Sequence, residues 1–218
     1  NRYIVVAECV PGGTTTALAV LTMLGIEANG LLSSSVLSCN HQQRWQLVQE
    51  GISRTSFSQA QVEEDSLLAI AAVGDPMQAF VSGLSLAASP TVPVVLAGGS
   101  QMLAVWAILN KLAASRNLSI NKEQIFVMTT KWVAFDPKAA VQRLSVLTNA
   151  PLIASCPDFN ASRHAGLRAY EAGHVKEGVG AGSLMALSHI QGLSPEQILT
   201  AIDSTYDKLV PPILSSPP

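Results

Sequence analysis

Two glycines and two threonines near the start of the chain have the types and spacing to bind a phosphate: Gly12, Gly13, Thr14 and Thr15. They stand between the β-branched run 3–7, typical of a strand buried in a parallel sheet, and the helix-forming run 17–24. Backbone N–H groups at such a helix start, together with the positive end of the helix dipole, attract anions. Glu8 follows the strand, at the edge where open α/β sheets bind ligands. The alternative interpretation is an ordinary strand-to-helix turn.

A second stretch repeats this order of strand, glycines, hydroxyl and helix. The apolar run 91–97 leads into Gly98, Gly99 and Ser100 and then into a helical pattern. Because parallel strands end at one edge of a sheet, the two loops are expected to flank one ligand. The first loop has neither the lysine of a Walker A motif nor the G-x-G-x-x-G spacing of a dinucleotide fingerprint, so both of those sites are excluded.

A third glycine-rich helix start lies near the other end of the chain, in the sequence VKEGVGAG. It contains Gly178 and Gly180, and Glu177 is the carboxylate directly before them. Lys131 follows another apolar run, 125–130, so it either reaches a ligand phosphate or is a solvated loop lysine.

Short apolar runs alternate with helical patterns along the chain, which predicts an α/β fold with a three-layer, mostly parallel, Rossmann-like sheet and helices on both faces. Residues 1–210 are predicted to form one domain, and residues 211–218 an extended tail. Threonine hydroxyls are expected to cap the first helix. Residues 53–64 are predicted to form a polar loop. The predicted strands are 3–7, 91–97, 125–130 and 151–156, and the predicted helices 17–24, 44–54, 65–73, 77–88, 101–114, 136–147, 183–189 and 195–209.

Composition excludes several classes of protein. The formal net charge is -2 and no basic stripe occurs, so nucleic acid is not an expected partner. The apolar runs are too short for a membrane span. Three cysteines without metal-ligand spacing predict a reducing cytoplasm and no metal site. With 48% hydrophobic and 13% charged residues, burial against a second subunit is expected, which predicts a homodimer.

Taken together, several segments resemble the nicotinate-nucleotide:dimethylbenzimidazole phosphoribosyltransferase family of cobalamin biosynthesis. The similarity is closest to its divergent archaeal and cyanobacterial branch of uncharacterised homologues, and it covers nearly the whole chain. It implies that the chain is the carboxyl-terminal portion of a longer protein. The segments are AECVPGGTTTALAVLTMLG, LLAIAAVGDPMQAFVSGLSLAAS, VPVVLAGGSQM, MTTKWVAFDP, DFNASRHAGLRAYEAG and VKEGVGAGSL.

The resemblance implies transfer of 5-phosphoribosyl from nicotinate mononucleotide to a lower-ligand base such as dimethylbenzimidazole, without a cofactor. The family's general base falls on Glu177, which would take the azole N–H proton while the other ring nitrogen attacks C1′. The family's glycine-threonine loop, which holds the nucleotide phosphate, falls on the loop at Gly12, and its preceding glutamate falls on Glu8. A family lysine corresponds to Arg44, which keeps the charge and changes the hydrogen-bond geometry.

Two positions depart from the family's pattern. Ala97 stands where characterised members have an aspartate, and His174 aligns with an arginine that precedes the catalytic glutamate. These changes affect residues that contact the base and the leaving group in the family. A domain that binds a nucleotide or phosphorylated metabolite without catalysis is therefore the alternative function.

Two further functions fit the residues less well. Cys9 lies near a helix start that would lower a thiol pKa, but no histidine is close in sequence to act as its base. An NAD-dependent dehydrogenase is excluded by the missing fingerprint after the first strand.

Overall fold

Four parallel strands form the sheet of the protein. The computed structural model describes residues 2–33, 40–176 and 179–210. Within them the strand order is β1-β2-β3-β4, with every neighbouring pair parallel. All four carboxyl ends therefore meet at one edge, hereafter the carboxyl edge. The strands are β1 Ile4–Ala7, β2 Val94–Ala97, β3 Ile125–Thr130 and β4 Leu152–Ser155, which confirms the four predicted runs.

The described helices confirm most of the helical patterns, with two corrections. Residues 53–64 are not all loop, because Ser58 and Gln61 form a capping box that starts α3. Residues 136–140 are not helical, because Asp136 turns its side chain inward and Pro137 follows it. The helices are α1 Gly13–Met23, α2 His41–Ser53, α3 Gln59–Glu64, α4 Leu67–Val73, α5 Pro76–Ala88, α6 Ser100–Ser115, α7 Lys131–Ala134, α8 Val141–Thr148, α9 Ala165–Glu171, α10 Val179–Ile190 and α11 Pro195–Leu209.

The start of α1 differs from the prediction. Its N-cap is Gly12, in the left-handed region at φ 75°, and no side chain caps the helix. The Thr16 hydroxyl lies 3.1 Å from the Gly13 carbonyl and 2.7 Å from Asp75 Oδ2, and it donates to the carboxylate of the distant residue. Threonine capping was therefore a wrong prediction, because glycine supplies the turn and leaves the hydroxyl for a tertiary contact.

The strands alternate between two packed faces, which gives the predicted three layers. Val94 and Leu96 belong to the large core with α1 and α6, whereas Val95 packs on the opposite face with Ala186 and Leu187 of α10. Successive strand side chains point to opposite faces, so each face needs its own helical layer. The Rossmann-like α/β prediction is confirmed.

Helix α10 is held closely against the sheet by a glycine. A methyl group added at Gly182 would lie 2.3 Å from the carbonyl carbon of Thr129, so only a residue without Cβ fits there. Gly180 and Gly182 thus lie inside α10, which begins four residues before the predicted helix 183–189 that follows the glycine-rich start.

None of the helices within the described ranges is long and apolar enough to cross a membrane. The predicted tail, residues 211–218, lies outside the described residues, and the single-domain assignment of residues 1–210 stays a prediction.

Candidate functional site

The Gly12–Gly13 turn lies at the carboxyl edge, directly after β1. The Gly13 amide donates to Val10 O at 3.0 Å and the Thr15 amide to Gly12 O at 2.8 Å, so the turn is tightly closed. Thr14 and Thr15 are half-buried on the first turn of α1. An 11-residue helix that starts at such a turn carries partial positive charge there, which favours an anion.

A buried pair of side chains stands beside this turn. Glu8 is 8% exposed, and its carboxylate accepts a hydrogen bond from Gln101 Nε2 at the start of α6. Gln101 Oε1 lies over Gly13, where an added methyl group would be 2.0 Å from it. This oxygen is buried and has no hydrogen-bond partner among the described residues. A buried acceptor without a hydrogen-bond partner destabilises the fold unless a ligand or another group supplies a donor.

The second glycine loop connects this pair to β3. A methyl group at Gly98 would lie 3.1 Å from Glu8 Oε1, and one at Gly99 would lie 3.8 Å from Thr129 Oγ1. Thr129 is fully buried, and its hydroxyl also lacks a partner within the described part of the chain. We call Glu8, Gly13, Gln101 and Thr129 the glycine-turn cluster. Sequence reasoning identified Glu8 and the glycines, and it missed Gln101 and Thr129.

The start of α10 comes to the same edge. A methyl group at Gly180 would lie 3.4 Å from the Cβ of Ala7, the last residue of β1. The helix begins at Val179, two residues after Glu177 in sequence. Glu177 and Gly178 themselves lie outside the described residues, so their predicted roles stay predictions.

A second group of polar side chains occupies the β3 side of the carboxyl edge. Lys176 Nζ lies 2.8 Å from Asp136 Oδ2, and their side chains are 7% and 1% exposed. The same carboxylate accepts from Ser33 Oγ at 2.7 Å and from the Lys138 amide at 3.0 Å. Burial raises the pKa of Asp136, but the hydrogen bonds from Lys176 and Ser33 outweigh it and lower the pKa below its usual value.

This arrangement ties together segments that are far apart in sequence. Ser100 Oγ donates to Ser33 O at 3.3 Å, so the second glycine loop is linked to the same network. Lys176 directly precedes Glu177, and its ion pair fixes the chain at that point. No pattern in the sequence marks Asp136 or Lys176, because the two residues meet only in the folded chain.

Lys131 begins α7, and its ammonium group lies 2.9 Å from Glu171 Oε2. Burial raises the pKa of Glu171, but hydrogen bonds from the Phe159 amide and Lys131 lower it overall. We call Lys131, Asp136, Glu171 and Lys176 the ion-pair cluster. A phosphate bound by Lys131 would have to share this lysine with Glu171.

Two other predicted site residues lie apart from these clusters. Arg44 is half-buried in α2, which packs against α1, and its Nη1 has no partner among the described residues. His174 is exposed after the end of α9, and its amide donates to Ala169 O at 3.0 Å. No described hydrogen bond joins either side chain to Glu8 or Gln101. Cys9 is an exposed free thiol.

Fold and site together define a three-layer, Rossmann-like α/β protein with helix starts and buried polar groups at the carboxyl edge. No protein-family model matches the chain. The sequence is 47% identical over 207 residues to a UPF0284 protein of Gloeobacter violaceus, and the match covers 94% of this chain and 54% of that protein. It is 45% identical over 209 residues to a UPF0284 protein of Cyanothece sp., covering 95% and 56%.

Close homologues of the chain are therefore UPF0284 proteins of cyanobacteria. The chain spans about half the length of the curated relatives it matches, since 54% and 56% of the two are covered.

Proposed function

We propose that the protein is a phosphoribosyltransferase that moves 5-phosphoribosyl from nicotinate mononucleotide to a neutral azole base, as its sequence resemblance implies. The observation that carries the proposal is the glycine-turn cluster. It sets the positive end of the α1 dipole next to the Glu8–Gln101 pair. A sugar phosphate needs both features, because its phosphate is stabilised by positive charge and its hydroxyls seek acceptors.

In this proposal the phosphate lies at the Gly12–Gly13 turn and the ribose hydroxyls donate to Glu8 and to Gln101 Oε1. Ribose binding would then satisfy an acceptor that is buried without a partner in the described chain. Glu177 takes the azole proton while the other ring nitrogen attacks C1′ and nicotinate leaves. The packing of Gly180 against Ala7 supports this role, because it brings the start of α10 to the end of β1.

The test uses the protein at the length of its relatives, with nicotinate mononucleotide and a panel of benzimidazoles and adenine. Mass spectrometry should detect an α-ribotide and stoichiometric nicotinate. Glu177→Gln should lower kcat by about 10²- to 10⁴-fold, the usual contribution of a general base, while calorimetric affinity for the nucleotide changes little. Nucleotide binding without product from any base would instead support the non-catalytic binding function.

A further inference from the structure

A cavity of about 470 Å³ lies at the end of α1 and has no role in the function proposed above. It is formed where the turn after α1 meets α2 and α8. Its walls combine apolar side chains with one cation and one carboxylate. The residues that matter are Glu27, Ala28, Leu31, Trp45 and Arg143. A cavity of this volume is within the range of small-molecule sites in proteins.

The turn that forms one wall is held in place by backbone hydrogen bonds. Gly25 follows the end of α1 in the left-handed region, at φ 78°, and the Ile26 amide donates to Leu21 O at 2.9 Å. This is the Schellman motif that closes a helix. Further along, Leu31 O accepts from the Ala140 amide at 3.2 Å, which connects the turn to the start of α8. The cavity is therefore preformed.

Trp45 supplies an aromatic wall of the cavity. It lies on α2, is half-buried and packs against the large core. Leu31 and Ala28, which line the same cavity, are buried. A ligand with an apolar body would bury its surface against these side chains, and the indole face attracts an ammonium group or another ring.

The two charged side chains of the cavity do not neutralise each other. Arg143 and Glu27 line the same space, yet no ion pair joins them, and neither pairs with another of the described residues. The ion-pair cluster differs, because each of its lysines lies within 3 Å of a carboxylate. A cation and an anion are thus both open to a ligand in this cavity.

Each of these charges lies at a helix end whose dipole has the same sign. Arg143 is the third residue of α8, in the first turn, where the helix dipole is positive. Glu27 lies three residues beyond Leu24, the C-cap of α1, where the dipole is negative. A ligand that brought an anionic group to Arg143 and a cationic group to Glu27 would offset both repulsions.

The cavity is remote from the glycine turn. Helix α1 has 11 residues and rises about 1.5 Å per residue, so its two ends lie about 16 Å apart. The Gly12–Gly13 turn is at one end and the cavity is at the other. A ligand in the cavity therefore occupies a separate site.

We propose that this cavity binds a small zwitterion with an apolar body, which is the chemistry of a free aromatic or aliphatic α-amino acid. Its carboxylate pairs with Arg143, its ammonium group pairs with Glu27, and its side chain packs on Trp45. The inference goes beyond the proposed transferase and does not depend on it, because the glycine-turn and ion-pair clusters lie elsewhere.

The first part of the test compares three ligands by calorimetry and ligand-observed NMR, with the protein at the length of its relatives. L-phenylalanine carries both charges, phenylpropanoate lacks the ammonium group, and phenylethylamine lacks the carboxylate. Phenylalanine should bind about three- to tenfold more tightly than either of the others, since each lacks one charged contact at a solvent-exposed position.

The second part uses two variants of exposed side chains, which are expected to fold normally. Arg143→Gln should weaken the binding of phenylalanine and phenylpropanoate about three- to tenfold and leave phenylethylamine unchanged. Glu27→Gln should weaken phenylalanine and phenylethylamine to the same extent and leave phenylpropanoate unchanged. The control is Arg54→Gln, because Arg54 is also exposed but pairs with Glu50 and does not line the cavity. It should change none of the three affinities.

This crossed pattern of losses would support the site whether or not the protein transfers phosphoribosyl. Absence of phenylalanine binding to the wild type at millimolar concentration would overturn the inference. Phenylpropanoate that bound as tightly as phenylalanine would overturn the zwitterion. Displacement of phenylalanine by nicotinate mononucleotide would also refute the separate site, because it would move the amino acid to the glycine turn.

Discussion

The two polar clusters at the carboxyl edge differ in how completely their groups are paired. In the ion-pair cluster, Asp136 accepts three hydrogen bonds, and each lysine lies within 3 Å of a carboxylate. In the glycine-turn cluster, Gln101 Oε1 and Thr129 Oγ1 are buried without partners among the described residues. Asp136 and Lys176 are about as buried as Glu8 and Gln101, so solvent exposure does not account for the difference between these two pairs.

This difference distinguishes a structural framework from a candidate binding site. Groups that satisfy one another stabilise the fold and hold neighbouring segments in place, whereas buried polar groups without partners destabilise it unless a ligand completes them. The ion-pair cluster is therefore expected to support stability, and the glycine-turn cluster to support ligand binding.

Breaking the ion-pair cluster should have the largest effect on the stability of the protein. Asp136→Asn leaves Lys176 buried and charged, and it should lower the free energy of unfolding by about 3–5 kcal/mol, as for other buried pairs that lose one partner. Urea denaturation measures this. The control is Asp65→Asn, which disrupts the exposed pair with Arg116 and should change stability by less than about 1 kcal/mol. Equal effects in both variants would refute the framework role.

The contribution of the Asp136–Lys176 pair to the free energy of unfolding should depend on pH. Because the pKa of folded Asp136 lies below its usual value of 3.8, its ionised form adds stability above about pH 4 and loses it as the pH falls through the folded pKa. The stability difference between wild type and Asp136→Asn should therefore stay constant from about pH 8 to 5 and shrink in stronger acid. A difference that grew on acidification would contradict this assignment.

The glycine contact under α10 should have the next largest effect. Gly182→Ala forces a methyl group against the Thr129 backbone and should destabilise the protein by about 1–3 kcal/mol, the usual result of overpacking. Gly83→Ala is the matched control, because Gly83 lies in α5 with no atom within 4 Å of the added methyl group. It should stabilise the protein by about 0.5–1 kcal/mol through helix propensity. Thermal unfolding of both variants checks the difference in sign.

The smallest stability effect is expected in the glycine-turn cluster, and with the opposite sign. Thr129→Val removes a buried hydroxyl without a described partner, so stability should stay equal or rise by about 1 kcal/mol. Ser82→Ala removes another buried hydroxyl without a described partner, in α5, and should have a similar effect on stability. Only Thr129→Val is expected to weaken nucleotide binding, by up to about tenfold for one hydrogen bond. Unchanged affinity in calorimetry would remove Thr129 from the site.

Sequence patterns predicted the local part of this site well. The run 125–130 coincides with β3, and α11 spans the predicted residues 195–209. The placement of Glu8 beside the Gly12–Gly13 turn followed from the rule that a residue after a parallel strand lies at the carboxyl edge. The threonine cap failed because one hydroxyl, that of Thr16, found a tertiary acceptor, Asp75, 59 residues away.

The amino-acid sequence by itself determined the four strands, most of the helices and the glycine turn before α1, because these depend on neighbours a few residues apart. Only the tertiary structure decided that Glu8 meets Gln101, that Asp136 meets Lys176, and that Gly182 presses on Thr129. Glu8 and Gln101 are 93 positions apart in the sequence, and Asp136 and Lys176 are 40 positions apart. Such contacts form when strands align and helices pack, and no local pattern encodes which partner a side chain finds.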